Sequence, residues 1–138
     1  MLTNRRTIRI EWGDCDPAGI VYFPRYFEIF DICTSALMES AGFPKHKALE
    51  QFGVTGWPLV DLGAKFHASS RWGEDIEVES RVTEWGRSSF KIEHRITRGD
   101  TLCIEGYEKR MWVGKNPDDP SKIRSVPIPE PVLEKFKS

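Results

Sequence analysis

The chain has 138 residues, 20 Lys and Arg against 21 Asp and Glu, and a formal net charge of −1. That length suits one globular domain with a real core, and the near-zero charge supplies no general field for nucleic acid. No apolar run of about 18 residues occurs, so no membrane-spanning helix is expected. The basic start, Met1 to Thr7, has no apolar h-region, so it is not a signal peptide, and a cytoplasmic location is expected. Cys15, Cys33 and Cys103 are widely spaced and form no CxxC pair, which argues against a disulfide framework or a zinc knuckle.

Thr7 to Trp12 alternates, with Ile8, Ile10 and Trp12 on one side, and reads as a half-buried strand. Gly13 to Gly19 breaks it. Asp16 precedes Pro17, which pushes its backbone to the extended region. A helix is expected from Pro24 to Ala41, opened by Pro24 and closed by Gly42. Its apolar residues cover far more than a stripe, so it should be enclosed. Lys45 to Phe52 predicts a second, shorter helix.

After Gly56-Trp57-Pro58 the period changes from 3.6 to 2. Leu59 to Ser69 should place Val60, Leu62, Ala64, Phe66 and Ala68 on one face, and Asp61, Lys65 and His67 on the other. Ile76, Val78 and Val82 mark the next strand, which Gly86-Arg87 breaks. Phe90, Ile92, His94 and Ile96 mark another, with His94 on the apolar side as a satisfied core or interface histidine. Arg98-Gly99-Asp100 predicts a hairpin turn. In the last strand, Thr101 to Gly114, Leu102 and Ile104 share one parity while Tyr107, Met111 and Val113 share the other. A bulge near Gly106 would account for that. The proline-rich tail has room for one short helix. The economical arrangement is a twisted antiparallel sheet curled around one enclosed helix, with edges that favour pairing of two copies.

The chemistry-bearing stretch is Gly13-Asp14-Cys15-Asp16-Pro17-Ala18-Gly19. Asp14 and Asp16, two apart on an extended segment, project to the same side unless the turn splays them. One reading makes a carboxylate here a base or nucleophile, walled by Val21, Tyr22 and Phe23 and facing the unpaired amides of the helix start. The other makes it a cap for backbone amides in a Gly/Pro turn. Cys15, flanked by carboxylates that disfavour the thiolate, is read as structural. No G-x-S-x-G, HExxH, GxGxxG or Walker loop occurs, so a serine hydrolase, a metal site and those nucleotide folds are not indicated. Arg87, Ser88 and Ser89, in a turn between strands, are a candidate phosphate contact.

The opening motif Gly13 to Val21 followed by Phe23-Pro24 resembles the signature of the 4-hydroxybenzoyl-CoA thioesterase family. The likeness continues through Gly42-Phe43-Pro44, Gly56-Trp57-Pro58-Leu59-Val60 and Glu84-Trp85-Gly86-Arg87-Ser88-Ser89-Phe90. The resemblance implies a single α+β domain over residues 1–138 with the hot-dog fold, a five-stranded antiparallel sheet wrapped around a long central helix. It implies hydrolysis of an acyl-CoA thioester, aromatic as in benzoyl- or hydroxybenzoyl-CoA. Asp16 would be nucleophile or general base, the Phe23 backbone amide would polarise the carbonyl, and Arg87, Ser88 and Ser89 would contact coenzyme A. No cofactor is expected, since coenzyme A belongs to the substrate, and the partners expected are acyl-CoA and further copies in a homodimer or homotetramer. The rival readings are a short-chain aliphatic acyl-CoA thioesterase and a non-catalytic module that binds coenzyme A or an acyl carrier.

Overall fold

The computed structural model describes residues 1–137. In chain order the elements are β1 (Thr3–Arg9), α1 (Pro24–Ser40), α2 (Lys45–Phe52), β2 (Val54–Gly56), β3 (Leu59–Phe66), β4 (Asp75–Trp85), β5 (Ser89–Arg98), β6 (Thr101–Met111), β7 (Val113–Lys115), β8 (Ile123–Ser125) and α3 (Glu130–Lys137). Five strands form one antiparallel sheet in the order β1-β4-β5-β6-β3, so β1 and β3 are its edges. A second sheet, β2-β7-β8, is small.

Alternation decides which face of the large sheet is dry. Ile76, Val78, Val82, Phe90, Ile92 and Ile96 are all buried, and they meet Tyr26, Ile29, Phe30, Cys33, Leu37 and Met38 of α1. The helix therefore buries one long face against the sheet, as its width of apolar residues requires. Burial pushes the Cys33 thiol up to about 11, with a small opposing pull from Arg6, so it is an inert core group. Phe30 lies flat against the imidazole of His94, with centroids 4.6 Å apart. It also occupies the space where any side chain at residue 106 would begin, which is why Gly106 stands there.

The core has two parts. One, around the start of α1, gathers Ile10, Val21, Tyr26, Phe30, Ile76, Ile96 and Ile104. The other, around its end, gathers Leu37, Met38, Trp57, Phe90, Trp112, Val132 and Phe136. The second is closed by α2, by β2 and by α3, so the proline-rich tail ends in a helix that seals the core.

Three expectations are corrected. Strand β1 covers Thr3–Arg9 rather than Thr7–Trp12, because residues 12–14 coil into a single 3₁₀ turn fastened by the Glu11 N–H on the Asp14 carboxylate. Trp12 is consequently 73% exposed rather than in line with the buried Ile10. Strand β3 ends at Phe66, and as an edge it buries its apolar face incompletely: Val60 and Phe66 remain more than half exposed. The irregularity in β6 is not at Gly106. It lies at Cys103, where the pairing moves from Ile96↔Ile104 to Thr97↔Leu102. From Ile104 onward the inward side continues unbroken through Gly106, Glu108, Arg110 and Trp112, with Tyr107 and Met111 on the outward parity.

Candidate active site

Residues 14–22 fold back on themselves as a tight hairpin. The Tyr22 N–H donates to Asp14 O at 2.8 Å, Cys15 pairs with Val21, and the Asp16 N–H donates to Ile20 O at 2.9 Å. Gly19 closes the turn at φ 79°, a left-handed conformation that glycine adopts without strain. The Asp16 side chain bends within this turn, its Oδ1 accepting the Ala18 N–H at 2.8 Å and its Oδ2 making no hydrogen bond among the described residues. Asp14 is splayed away, its carboxylate engaged by the Glu11 N–H at 2.9 Å. Cys15 turns its thiol toward the Glu11 carbonyl at 3.7 Å.

The hairpin returns the chain straight into α1. Phe23 is the residue before the helix, Pro24 is its first residue, and among the described residues no acceptor takes the Phe23 N–H. A helix leaves its first N–H groups unpaired, and the partial positive charge of its start favours an anion there. Asp16 and Phe23 are thus brought into one compact unit: a carboxylate in the hairpin turn, and a free donor where the hairpin meets the helix. Val21 is buried, but Tyr22 and Phe23 are 50% and 57% exposed, so the expected apolar walls stand open to solvent in the single chain.

Arg87, Ser88 and Ser89 lie elsewhere. The register of β1 on β4 puts Arg9 beside Asp75 at the start of β4, whereas Arg87 follows its end at Trp85. The 11 residues of β4 span about 35 Å, so the two candidate regions occupy opposite ends of the sheet in one chain. The turn itself is well anchored. Arg87 O accepts from the Ile128 N–H at 2.9 Å, Ser88 O from the Trp112 N–H at 2.6 Å, and Ser89 O from the Gly86 N–H at 2.7 Å. The Arg87 side chain remains exposed.

Between α1 and the sheet lies a buried polar network that the sequence reading missed. Glu108 receives the Thr34 hydroxyl, His94 Nε2 at 3.0 Å and an Arg110 Nη2 at 2.5 Å. Ser80 Oγ sits 2.7 Å from His94 Nδ1. Arg110 also donates to Trp57 O at 2.9 Å and to Asp31 at 2.8 Å. Burial, the largest influence, pushes the Glu108 carboxyl up. The bonds from His94, Arg110 and Thr34 outweigh it, and the group is held below its ordinary value. Both ring nitrogens of His94 are thus engaged, Nε2 by the Glu108 carboxylate and Nδ1 by the Ser80 hydroxyl. Strict alternation from Ile104 to Trp112 would have found this network, since it places two opposite charges inside, on the face that His94 shares.

Arg110, Glu108, Asp31 and Glu28 form the polar part of a groove of about 420 Å³ between α1 and β3, whose other walls are Phe27, Ile32, Leu59 and Leu62. Phe27 touches Phe23 edge to face, centroids 6.5 Å apart, so the groove begins one helical turn from the free amide. Its combination of aryl and aliphatic walls with a polar end suits a flat apolar group carrying a polar substituent.

The thioesterase-like superfamily model matches residues 10–136. A 4-hydroxybenzoyl-CoA thioesterase of Pseudomonas sp. (strain CBS-3) is 31% identical over 132 residues, covering 91% of this chain and 92% of that protein. A 1,4-dihydroxy-2-naphthoyl-CoA hydrolase of Synechococcus elongatus is 26% identical, covering 73% and 81%. Among solved structures, a 4-hydroxybenzoyl CoA thioesterase mutant complexed with 4-hydroxybenzoyl CoA superposes with a TM-score of 0.90 at 27% identity, covering 99% of both chains. The chain belongs to the thioesterase-like superfamily, and its sheet curled on α1 is the hot-dog fold.

Proposed function

We propose that this chain hydrolyses an acyl-CoA thioester to the free acid and coenzyme A, with an aromatic acyl group of the benzoyl or hydroxybenzoyl kind. The observation that carries the reading is the hairpin joining the Asp16 carboxylate to the unpaired Phe23 N–H at the start of α1. An oxyanion forming on the thioester carbonyl would take that N–H and the positive helix end, a preorganised donor whose removal typically costs about 100- to 1000-fold. Asp16 then either attacks the carbonyl, expelling the thiolate of coenzyme A and leaving a mixed anhydride for water to open, or removes a proton from an attacking water. The free Oδ2 is the atom for either role.

The acyl group fits the groove of Phe27, Ile32, Leu59 and Leu62. The named relatives act on aryl thioesters, and one of the superposed structures is an aspartate-to-asparagine mutant of such an enzyme holding its substrate. Arg87, Ser88 and Ser89 are the proposed coenzyme A contacts. Their distance from Asp16 along β4 is the reason to assign them to a second protomer, which favours a homodimer or homotetramer over a monomer. No cofactor is needed for this chemistry. A cytoplasmic location suits an acyl-CoA substrate, and no helix among the described residues is long and apolar enough to cross a membrane.

The test is free-thiol release from a panel of benzoyl-, hydroxybenzoyl- and short aliphatic acyl-CoA thioesters, with parent and Asp16→Asn. Aryl substrates should turn over fastest, and the variant should bind them without turnover. Preference for aliphatic thioesters would move the reading to that substrate class. Tight coenzyme A binding without hydrolysis by the parent would replace it with a binding module.

A further inference from the structure

The hairpin that holds Asp16 does not stand alone; it leans on the turn from Ser69 to Glu74. The Val21 N–H donates to Ser70 O at 3.0 Å, and Ile20 pairs with Arg71. The Arg71 guanidinium lies over Gly19, 3.5 Å from where a Cβ would be. Ser70 is fully buried and also borders α1, where the Tyr26 hydroxyl is enclosed beside it. Burial raises the Tyr26 pKa, Ser70 partly offsets the rise, and the hydroxyl makes no full hydrogen bond among the described residues. Tyr26 in turn gives its own N–H to Phe23 O at 3.1 Å. Ser70 therefore touches both halves of the proposed site, the carboxylate's hairpin and the helix start.

One side chain holds this turn at both ends. Arg98 Nη1 donates to Ser69 O at 2.6 Å and to Ser70 Oγ at 2.9 Å. Its Nε lies 3.2 Å from Glu74 Oε2, and the other Glu74 oxygen accepts the Arg71 N–H at 2.6 Å. A planar guanidinium can serve both ends at once in a fixed geometry, and an ammonium cannot. Arg98 is the last residue of β5, on the rigid hairpin with β6, so it ties the turn to the sheet.

We propose that Arg98 is a positioning residue for the thioesterase site: through Ser70 and Arg71 it fixes the Asp16 hairpin against the start of α1. This rests on the thioesterase reading for its catalytic consequence, while the brace itself is a matter of structure. The experiment compares the parent with Arg98→Met, which keeps the stem, and Arg98→Lys, which keeps the charge. Phe136→Ala serves as a destabilised control at the other end of the core, where Phe136 packs on Trp85. Each is measured for kcat and KM on an aryl-CoA thioester, for Tm, and for amide hydrogen exchange.

Arg98→Met should lower kcat about 10- to 100-fold, as a misplacement near 1 Å does, with KM within about 3-fold. The Val21 and Asp16 amides should exchange faster while those in mid-β5 do not. Arg98→Lys should recover part of both. A kcat within about 2-fold of the parent, an equal kcat loss in Phe136→Ala at matched Tm, or unchanged exchange at Val21 and Asp16 would each overturn the proposal. Should Arg98→Met not fold, Arg98→Lys decides, and parent-like kcat and exchange in it count against the brace. Should the parent cleave no thioester, the functional reading fails separately, and the exchange rates alone judge whether Arg98 braces the hairpin.

Discussion

At the C-terminal end of α1, Leu37 and Met38 are enclosed by Trp57, Phe90, Trp112 and Phe136, with α2, β2 and α3 wrapped around them. At the N-terminal end, Tyr22 and Phe23 stand half exposed, the Phe23 N–H is unpaired, and a hairpin of hydrogen bonds replaces apolar cover. The same helix is an anchor at one end and a presented terminus at the other. Stability is drawn from the closed end, where large rings meet at centroid distances of 5.5 to 6.5 Å around Trp112. The open end can therefore leave an amide and one carboxylate oxygen uncommitted, at a local cost that the rest of the core offsets.

The contrast is most severely tested at Asp16. Asp16→Asn should lower the thioesterase rate by about 100- to 10,000-fold, the span general acid–base groups contribute, while moving Tm by no more than about 2 °C. Thiol release and a thermal melt on one preparation check both halves. A large loss of Tm would mean that the hairpin, not the helix end, carries the fold. Trp112→Ala should do the reverse. Emptying a site so enclosed should cost about 3–5 kcal/mol by denaturant titration, with kcat of the folded fraction within a few-fold of the parent.

Glu108 lies between the two ends and sharpens the comparison through pH. Its folded pKa is depressed below the ordinary carboxyl value of 4.5, so the ion pair contributes stability that is complete above that value. The contribution is lost as the pH falls below 4.5 and through the depressed value. Glu108→Gln should lower stability at pH 7 by about 1–3 kcal/mol and flatten the acid limb of the stability profile, read by urea unfolding across pH 3 to 7. The smallest effect is expected at Gly19. Gly19→Ala forces a Cβ into φ 79° and should cost about 1–2 kcal/mol, with an activity loss larger than that stability change alone explains.

The elements of the closed end were legible in advance. Alternation in β4 and β5 and the width of the apolar face of α1 point to the same buried interior, and Lys45–Phe52 is helical as its pattern predicts. The turn at residues 16–19 and the helix start after Phe23 were legible because Pro17, Gly19 and Pro24 restrict the backbone locally, whereas the roles proposed for Asp16 and Phe23 came from the family resemblance. Three things were not. Trp12 follows the parity of Ile8 and Ile10 in sequence, but a hydrogen bond between neighbours, Glu11 to Asp14, turns it outward. Glu108 and Arg110 drew no notice in the sequence because charge is ordinarily exposed, and only their mutual pairing with Thr34 and His94 permits burial. Arg98 reads as a turn residue, since its partners Ser69, Ser70 and Glu74 are more than twenty positions away.

Phe30 resting on the bare backbone of Gly106 sets how deeply α1 sits in the sheet. The helix has no slack at that point, so its axis behaves as a lever with a fixed fulcrum near the middle of its length. A displacement imposed at residue 106 would be carried along the helix to both of its ends. The closed end would resist it, because α2, α3 and the ring contacts of Phe52, Trp57 and Phe90 with Trp112 pack there. At the other end Tyr26 is buried in the first part of the core, beside Ser70 and its partner Arg98, so the start of α1 is held as well. Gly106, far from the carboxylate in sequence and carrying no functional group, therefore sets the spacing between the helix and the sheet at Phe30.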